Sequence, residues 1–466
     1  MAEIAPPPDR WDIEVDVAIV GGGACGLVAG LRAVAAGADV IVLERDASST
    51  GSTALSSGFI PAAGTRFQRE IHVHDTPESL AADIQGKAKG DANPDIARTV
   101  SDAIAPAIEW LSDNHGLEWI VLDDFLYPGH SVHRMHAVPE RTGAGLMARL
   151  QAAAEAAGVP VAHSSRATTL HVAGEHLAGL TITRPDGVSE SIGCRSLILA
   201  CNGYGGNAEL VGRHIPEIAD APYFGHPGNT GDAILWGDAL GAKVKHLSGY
   251  QGHGSLAHPH GILITWALIM EGGIQVNAEG LRFSNEHEGY SEQAVKVLSQ
   301  PDGIAWNIYD RRLHELGLGF PDYTDAVAAG AVLSGDAGSL ADRIGVPADA
   351  LAQTLESVRE NAEAGDRDPF GRKFDSDSRL GDELFAIRVT GALFHTQGGL
   401  VVDDMARVIR TDGSAIPGLY AGGGAACGVS GPRVDGYLSG NGLLTAIALG
   451  YVAGDAAARF AQNSDL

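Results

Sequence analysis

Residues Asp16 to Gly26 read D-V-A-I-V-G-G-G-A-C-G, four apolar residues running straight into a turn of glycines. Val17 to Val20 have the length and composition of a buried strand. Gly21, Gly23 and Gly26 follow with the G-x-G-x-x-G spacing, and Leu27, Leu31 and Val34 mark one stripe of a helix. The next strand, Asp39 to Leu43, ends at Glu44, eighteen residues past the last glycine. In such a unit Gly21 permits the tight turn, Gly23 lets the backbone approach a diphosphate, and Gly26 brings the helix close to the sheet. The helix start at Ala24 carries about half a positive charge and unpaired N–H groups, which together hold an anion. Glu44 accepts hydrogen bonds from ribose hydroxyls and repels a 2′-phosphate. Strand, turn, helix, second strand and acid in this order predict an adenine-dinucleotide site; the alternative is a plain glycine-rich βα turn.

A chain of 466 residues is long enough for two or three domains with ample core. Its 62 glycines exceed the usual ~7%, and the excess falls in short turns without a repeat. The formal charge of −26 disfavours nucleic acid and anionic membrane surfaces, both of which need basic patches. Cys25, Cys194, Cys201 and Cys427 form no C-x-x-C pair, which argues against a redox disulfide, a zinc site or a c-type haem. No run of some 18 uncharged apolar residues predicts a membrane span. The start, M-A-E-I-A-P-P-P-D-R, lacks a basic and then apolar leader, so the expected location is cytoplasmic.

Residues 15 to about 245 alternate strand-like and helix-like segments, as a doubly wound α/β domain does. A small polar loop, G-S-T-A-L-S-S-G, spans Gly51 to Gly58. Helices are expected near 77–91, 94–115 and 142–157, short strands near 160–184, and a hairpin turn at Pro185 to Gly187. Ser196 to Cys201 is another buried strand. From about 249 to 392 His, Tyr and polar residues become frequent, with helices at 322–334 and 347–363, which suggests an inserted domain. The β pattern returns at Gly398 to Val402, and a last helix, about 440–461, carries Leu443, Leu444, Ile447 and Val452. The expected division is 1–248, 249–392 and 393–466. His253, His258 and His260 suggest a metal to the eye, but no carboxylate spacing supports one and a polar loop is the expected role.

Several motifs now stand in order: the glycine turn, G-S-T-x-x-S-x-G, T-G-D-A at Thr230 to Ala233, G-L-R-F-S-N-E at Gly280 to Glu286, H-T-Q-G-G at His395 to Gly399, and G-L-Y-A-G-G-G at Gly418 to Gly424. Together, over nearly the whole chain, they resemble the FAD-dependent fumarate reductase, succinate dehydrogenase and 3-ketosteroid dehydrogenase superfamily. The resemblance implies an α/β fold: a split Rossmann-like FAD-binding domain with an inserted α+β capping domain. It implies FAD contacts at Gly21, Gly23, Ala24, Gly26, Glu44, Arg45, Ser52, Thr53, Ser57, Gly58, Asp232, Gly422, Gly440, Asn441 and Leu443. Succinate dehydrogenases place a flavin-linking histidine where this chain has Ser52 to Leu55, so the expected FAD is non-covalent.

Two departures separate the chain from fumarate reductases. Those enzymes bring a proton-donating arginine after R-F-x-N-E, where this sequence has Tyr290. Their R-L-G-G-N arginine grips a substrate carboxylate, and here Y-L-S-G-N places Tyr437. Gly436, Tyr437, Ser439 and Gly440 instead match the G-Y-x-S-G segment of the branch that desaturates 5α-reduced 3-ketosteroids. The implied activity is a desaturase of a cyclic ketone, either a 3-ketosteroid or a smaller ring. The alternative is an ene-reductase of the fumarate or urocanate type, which Arg433 and His395 keep open.

Desaturation next to a ketone needs a polarised carbonyl, a base for the α proton and a hydride acceptor. Donors aimed at the developing enolate are worth about 10²–10³ each, and N–H groups of Gly440 to Gly442 at a helix start suit that role. A phenol has an ordinary pKa near ~10, which must fall, or its proton be passed on, for it to act as a base. Tyr290 and Tyr437 are assigned as the acid/base and carbonyl pair in either order, with Ser439, two residues from Tyr437, tuning Tyr437 and His395 contacting substrate. The expected partners are a small ketone and an electron acceptor of unspecified kind, with no nucleic acid and no metal.

Overall fold

The computed structural model describes residues 3–463. Strand Ile13–Val20, whose last four residues are buried, is an inner strand of a nine-stranded sheet. Val40–Leu43 pairs with it in parallel on one side and Ser189–Leu199 on the other. The strand Ser189–Leu199 changes partners along its length. Its first half continues an antiparallel hairpin from His176–Thr183, turned at Pro185 to Gly187, while residues 197–199 pair in parallel with Ala415–Ala421. Residues more than two hundred positions apart therefore complete one sheet.

Helix Ala24–Ala35 lies on this sheet at very short range. A Cβ on Gly26 would sit 1.9 Å from the Gly21 carbonyl oxygen, and one on Gly30 would meet Val159 at 2.9 Å. Along its flank the same helix meets the last helix, Asn441–Asn463. There Gly450 packs on the Cys25 carbonyl and Gly454 on that of Ala29, at 2.6 and 2.4 Å from where a Cβ would stand. Asn441–Asn463 is the one helix among the described residues long and apolar enough to cross a membrane, and 67% of its apolar window is buried inside the protein. The helix carries Asp455 and Arg459, in keeping with the sequence reading of no uncharged apolar stretch of that length, and its apolar side chains serve the core.

A second, six-stranded sheet draws its strands from residues 250–396. Its axis is Leu384–Thr396, whose first half runs between Ile304–Asp310 and Val332–Gly335 and whose second half pairs with Tyr250–Ala257. The expected helix over 322–334 is Pro321–Ala328 only. Gly330 takes a left-handed φ of 74° and the chain turns into strand Val332–Gly335. The expected helix over 347–363 is Ala348–Ala364.

The turn before Tyr290 is built on buried charge. Glu286 accepts from Arg282 at 2.7 Å and from Arg372 at 3.0 Å, Asp368 takes a further Arg282 N–H, and all four side chains are within 6% of complete burial. Burial alone would raise the Glu286 carboxyl, but Arg282 and Arg372 outweigh it and hold it at about 2. A depressed acid contributes stability that is full above its unfolded value, about 4.5, and is lost as pH falls toward 2. Glu286→Gln is expected to cost roughly 3–5 kcal/mol at neutral pH by leaving two buried guanidiniums undercompensated. Denaturant unfolding should also show a shallower loss of stability for the variant between about pH 5 and 2.

Candidate active site

One continuous cavity runs from the glycine turn to Tyr290 and Tyr437. At one end lie Gly21, Gly23, Ala24, Glu44 and Arg45, followed by Ser52, Thr53, Ser57, Gly58 and Asp232. Gly21 has φ 111°, and a Cβ there would meet the Ala200 carbonyl at 2.4 Å. Gly23 differs: a Cβ would face open space, with its nearest neighbour, Thr53 Oγ1, at 3.8 Å. Behind it helix Ala24–Ala35 has no side-chain N-cap, so its first N–H groups point into the cavity with one long bond, Ala24 N to Thr53 Oγ1 at 3.4 Å. An uncapped helix start beside an open glycine fits a diphosphate.

Glu44 accepts from Gly22 N at 2.9 Å and Asp46 N at 3.0 Å. These bonds orient its carboxylate and leave lone pairs for ribose hydroxyls. Ser52 accepts from His226 N and from Asn229 Nδ2, and Arg45 donates to the Gly228 carbonyl. The polar loop after the first βαβ unit is thereby tied to the 226–229 turn.

Three of the sequence-selected cofactor residues stand behind the wall. Gly26 packs under the Gly21 carbonyl, and Gly422 against Cys25, where a Cβ would meet Sγ at 2.7 Å. Asn441 is fully buried and donates to Ser430 Oγ at 3.0 Å. Gly423 and Gly424, next along the closing motif, line the cavity instead.

The other end is aromatic. Helix Tyr290–Leu298 lies on the second sheet where glycines leave room, with Gly252 against the Ser291 carbonyl and Gly391 against that of Ala294. Tyr290, its first residue, is thereby fixed in the wall. Tyr437 comes from the loop before the last helix, 6.2 Å away between ring centroids. Its phenol oxygen accepts from Gly442 N at 3.4 Å, at the start of Asn441–Asn463. Ser439, His395, Gly440 and Leu443 line the same end. His130 Nε2 bonds the Ser439 carbonyl at 3.0 Å and pins that loop from behind.

Sequence reasoning missed several wall residues. His253 stacks between Tyr290 and Phe394 at 4.7 and 5.0 Å, and Trp266 and Tyr127 close the cluster around the two phenols. The His253–His258–His260 set is not a cluster: His253 is buried here, and His258 and His260 lie at the far end of the strand. Arg433 is also elsewhere. It is half-exposed, ion-paired with Asp91 and Asp435, and lies outside the cavity wall. Among the described residues lining the cavity, the arginines are Arg45 and Arg166, both at the Glu44 end, and no lysine contributes.

Burial keeps this aromatic end uncharged. It drives the Tyr290 hydroxyl well above the ordinary phenol range, helped by Tyr437, although the Ser439 hydroxyl pulls it down. Tyr437 is also raised by burial, while N–H groups of Gly442 and Gly440 and the Tyr290 hydroxyl oppose the rise. Both phenols are therefore raised, and of the two routes to a base, a lowered pKa or a proton passed on, the first is not met in the free protein. Burial pushes His395 down to about 4 and His253 to about 3, so both are neutral imidazoles at pH 7.

Residues 16–443 match the family model described as the FAD binding domain. The chain belongs to this family. It is 27% identical to the probable fumarate reductase Ifc3 of Shewanella frigidimarina (strain NCIMB 400), over 96% of this chain and 75% of that protein. It is 26% identical to the NADH:fumarate oxidoreductase of Klebsiella pneumoniae (strain 342), covering 96% of this chain but spanning about half, 48%, of that relative's length. A solved 3-ketosteroid-Δ4-(5α)-dehydrogenase from Rhodococcus jostii RHA1, in complex with 4-androstene-3,17-dione, matches with a TM-score of 0.77 and 26% identity. That match covers 97% of this chain and 98% of the other. The protein is an FAD-dependent oxidoreductase, and the superfamily and its ketosteroid branch read from the motifs are both supported.

The flavin is expected to be lost in Gly21→Ala. The added Cβ meets the Ala200 carbonyl in a backbone conformation that only glycine adopts freely. Purified variant should be colourless while retaining the far-ultraviolet dichroism of a folded chain; a yellow variant would refute this placement of the cradle.

Proposed function

We propose that the protein desaturates a cyclic ketone next to its carbonyl, with FAD held non-covalently between the glycine turn and the Gly440 to Leu443 helix start. The observation that carries this reading is the phenol pair at an end of the cavity to which no lysine or arginine among the described residues contributes. A dicarboxylate brought there would have no cation to receive either charge, because Arg433 is engaged at the surface with Asp91 and Asp435. A neutral ketone needs only donors. When bound, FAD supplies the two-electron acceptor for the hydride that leaves the β carbon.

The residues divide the remaining work between them. Tyr437 has the better supported phenolate, since its oxygen receives the Gly442 N–H, and we assign it the α proton. Tyr290, the more strongly desolvated of the two, stays neutral and donates to the carbonyl oxygen, where negative charge accumulates as the α C–H bond breaks. Ser439 hydrogen-bonds Tyr290 and orients that donation. Trp266, Tyr127 and the stacked His253 exclude water and present apolar faces to a ring. A capping role for the second sheet, approximately residues 249–392, belongs to the same proposal.

The raised phenols favour one competing reading. A neutral phenol is a ready proton donor, which is what reduction of an activated C=C requires. The two directions share residues and differ in substrate charge and electron source.

Tyr437→Phe should lower the anaerobic rate of flavin bleaching by 5α-3-ketosteroids or 4-substituted cyclohexanones by about 10²–10³. Arg433→Ala should leave it unchanged. Because the Tyr437 phenol lies above its ordinary value of 10.0, the wild-type oxidation rate should climb with rising pH and show no plateau below about pH 10. If no ketone bleaches the flavin while fumarate or urocanate reoxidises dithionite-reduced enzyme, the ene-reductase reading replaces this one.

A further inference from the structure

Three buried side chains stand in file behind His395. Gln397 Nε2 donates to His395 Nδ1 at 2.7 Å, Ser430 Oγ donates to Gln397 Oε1 at 2.8 Å, and Asn441 Nδ2 donates to Ser430 Oγ at 3.0 Å. Gln397, Ser430 and Asn441 are 2%, 1% and 0% exposed. The main chain pins Gln397 on both sides, its N–H bonding the Gly249 carbonyl and its carbonyl accepting from Gly428, each at 2.8 Å.

Each link has one polarity. An amide NH₂ only donates, so the Ser430 oxygen accepts from Asn441 and passes its single proton to the Gln397 oxygen. The Gln397 NH₂ then faces Nδ1, which must be the ring nitrogen without a proton. The other nitrogen, Nε2, points away from the file, toward Gly424 and Asn202 in the cavity wall. A Cβ on Gly424 would stand 2.8 Å from it.

We propose that Gln397 is a positioning residue which, with Ser430 and Asn441 behind it, fixes His395 as a neutral Nε2–H donor facing the reaction cavity. A glutamine suits this task and a glutamate does not. A carboxylate at Gln397 would accept from Nδ1–H, reverse the tautomer and favour an imidazolium at the aromatic end, where no arginine or lysine lines the cavity. The free energy of burial acts in the same direction, since it keeps the ring neutral. His395 as a donor to substrate rests on the ketone reading; its tautomer does not.

The test is a long-range ¹H–¹⁵N spectrum of holoenzyme labelled with [¹⁵N]histidine, His395 being assigned by the signals missing in His395→Asn. The expected result is a bare Nδ1 and a protonated Nε2, unchanged between about pH 6 and 9. A proton on Nδ1 of the wild type overturns the proposal, and no variant is needed to see it. Gln397→Glu should move the proton to Nδ1, add an ionisation to the pH profile of kcat/KM, and lower kcat/KM for the ketone by about 10²-fold. A Gln397→Glu enzyme that keeps the wild-type tautomer also overturns it. Ser430→Ala, which removes the bond that orients the Gln397 amide but keeps Gln397 itself, should give a mixture of tautomers with a smaller loss. If no ketone turns over, the desaturase reading fails while the spectra still decide the tautomer.

Discussion

The close parallel packing of helices Ala24–Ala35 and Asn441–Asn463 sets the geometry of everything functional here. Gly450 rests on Cys25 and Gly454 on Ala29, so the two helices run side by side with a fixed register. Extrapolated back along that register, the last helix begins eight residues before the first one does. At 1.5 Å per residue that is about 12 Å. Two positive helix ends therefore open into one cavity at different depths. The start of Ala24–Ala35 lies behind the open Gly23, and that of Asn441–Asn463 supports the Tyr437 oxygen. A side chain larger than hydrogen at Gly450 or Gly454 would force the helices apart and disturb both ends together.

Desolvation is the second organising term. Carboxylates and guanidiniums are present in the interior, but around Glu286 they neutralise one another, and at the aromatic end they are absent. Two tyrosines and two histidines there all shift toward their uncharged forms for the same cause, although the phenols move up and the imidazoles down. The wall thus consists of neutral donors. Such a surface discriminates by the shape and hydrogen-bond acceptors of its ligand and hardly at all by net charge.

The βαβ unit was legible because every contact that makes it is local: Gly21, Gly26 and Glu44 lie within thirty residues, and each type has one steric or electrostatic reason to be there. The hairpin at Pro185 was legible on the same ground. The second sheet was not. Strand Leu384–Thr396 reads as an apolar run whose partners lie from about fifty to nearly a hundred and fifty residues away, and Val332–Gly335 looks helical until Gly330 breaks the pattern. His253, Trp266 and Tyr127 join the phenols from three separate segments, so no spacing could reveal them. Arg433 was misleading for the converse reason. Its neighbour in sequence is the active-site loop, but its ionic partner, Asp91, lies 342 residues away.

Lys87 ends a helix whose Leu80 and Ile84 belong to the core beneath the nine-stranded sheet. Its ammonium reaches across to the Glu288 carbonyl at 2.7 Å and to Glu292 at 2.6 Å, with both side chains nearly buried. Glu292 is two residues past Tyr290 in the first turn of the same helix. The Lys87 ion pair and the phenol in the wall thus share one helical turn, so the contact that anchors Glu292 also anchors the backbone that sets Tyr290 beside Tyr437.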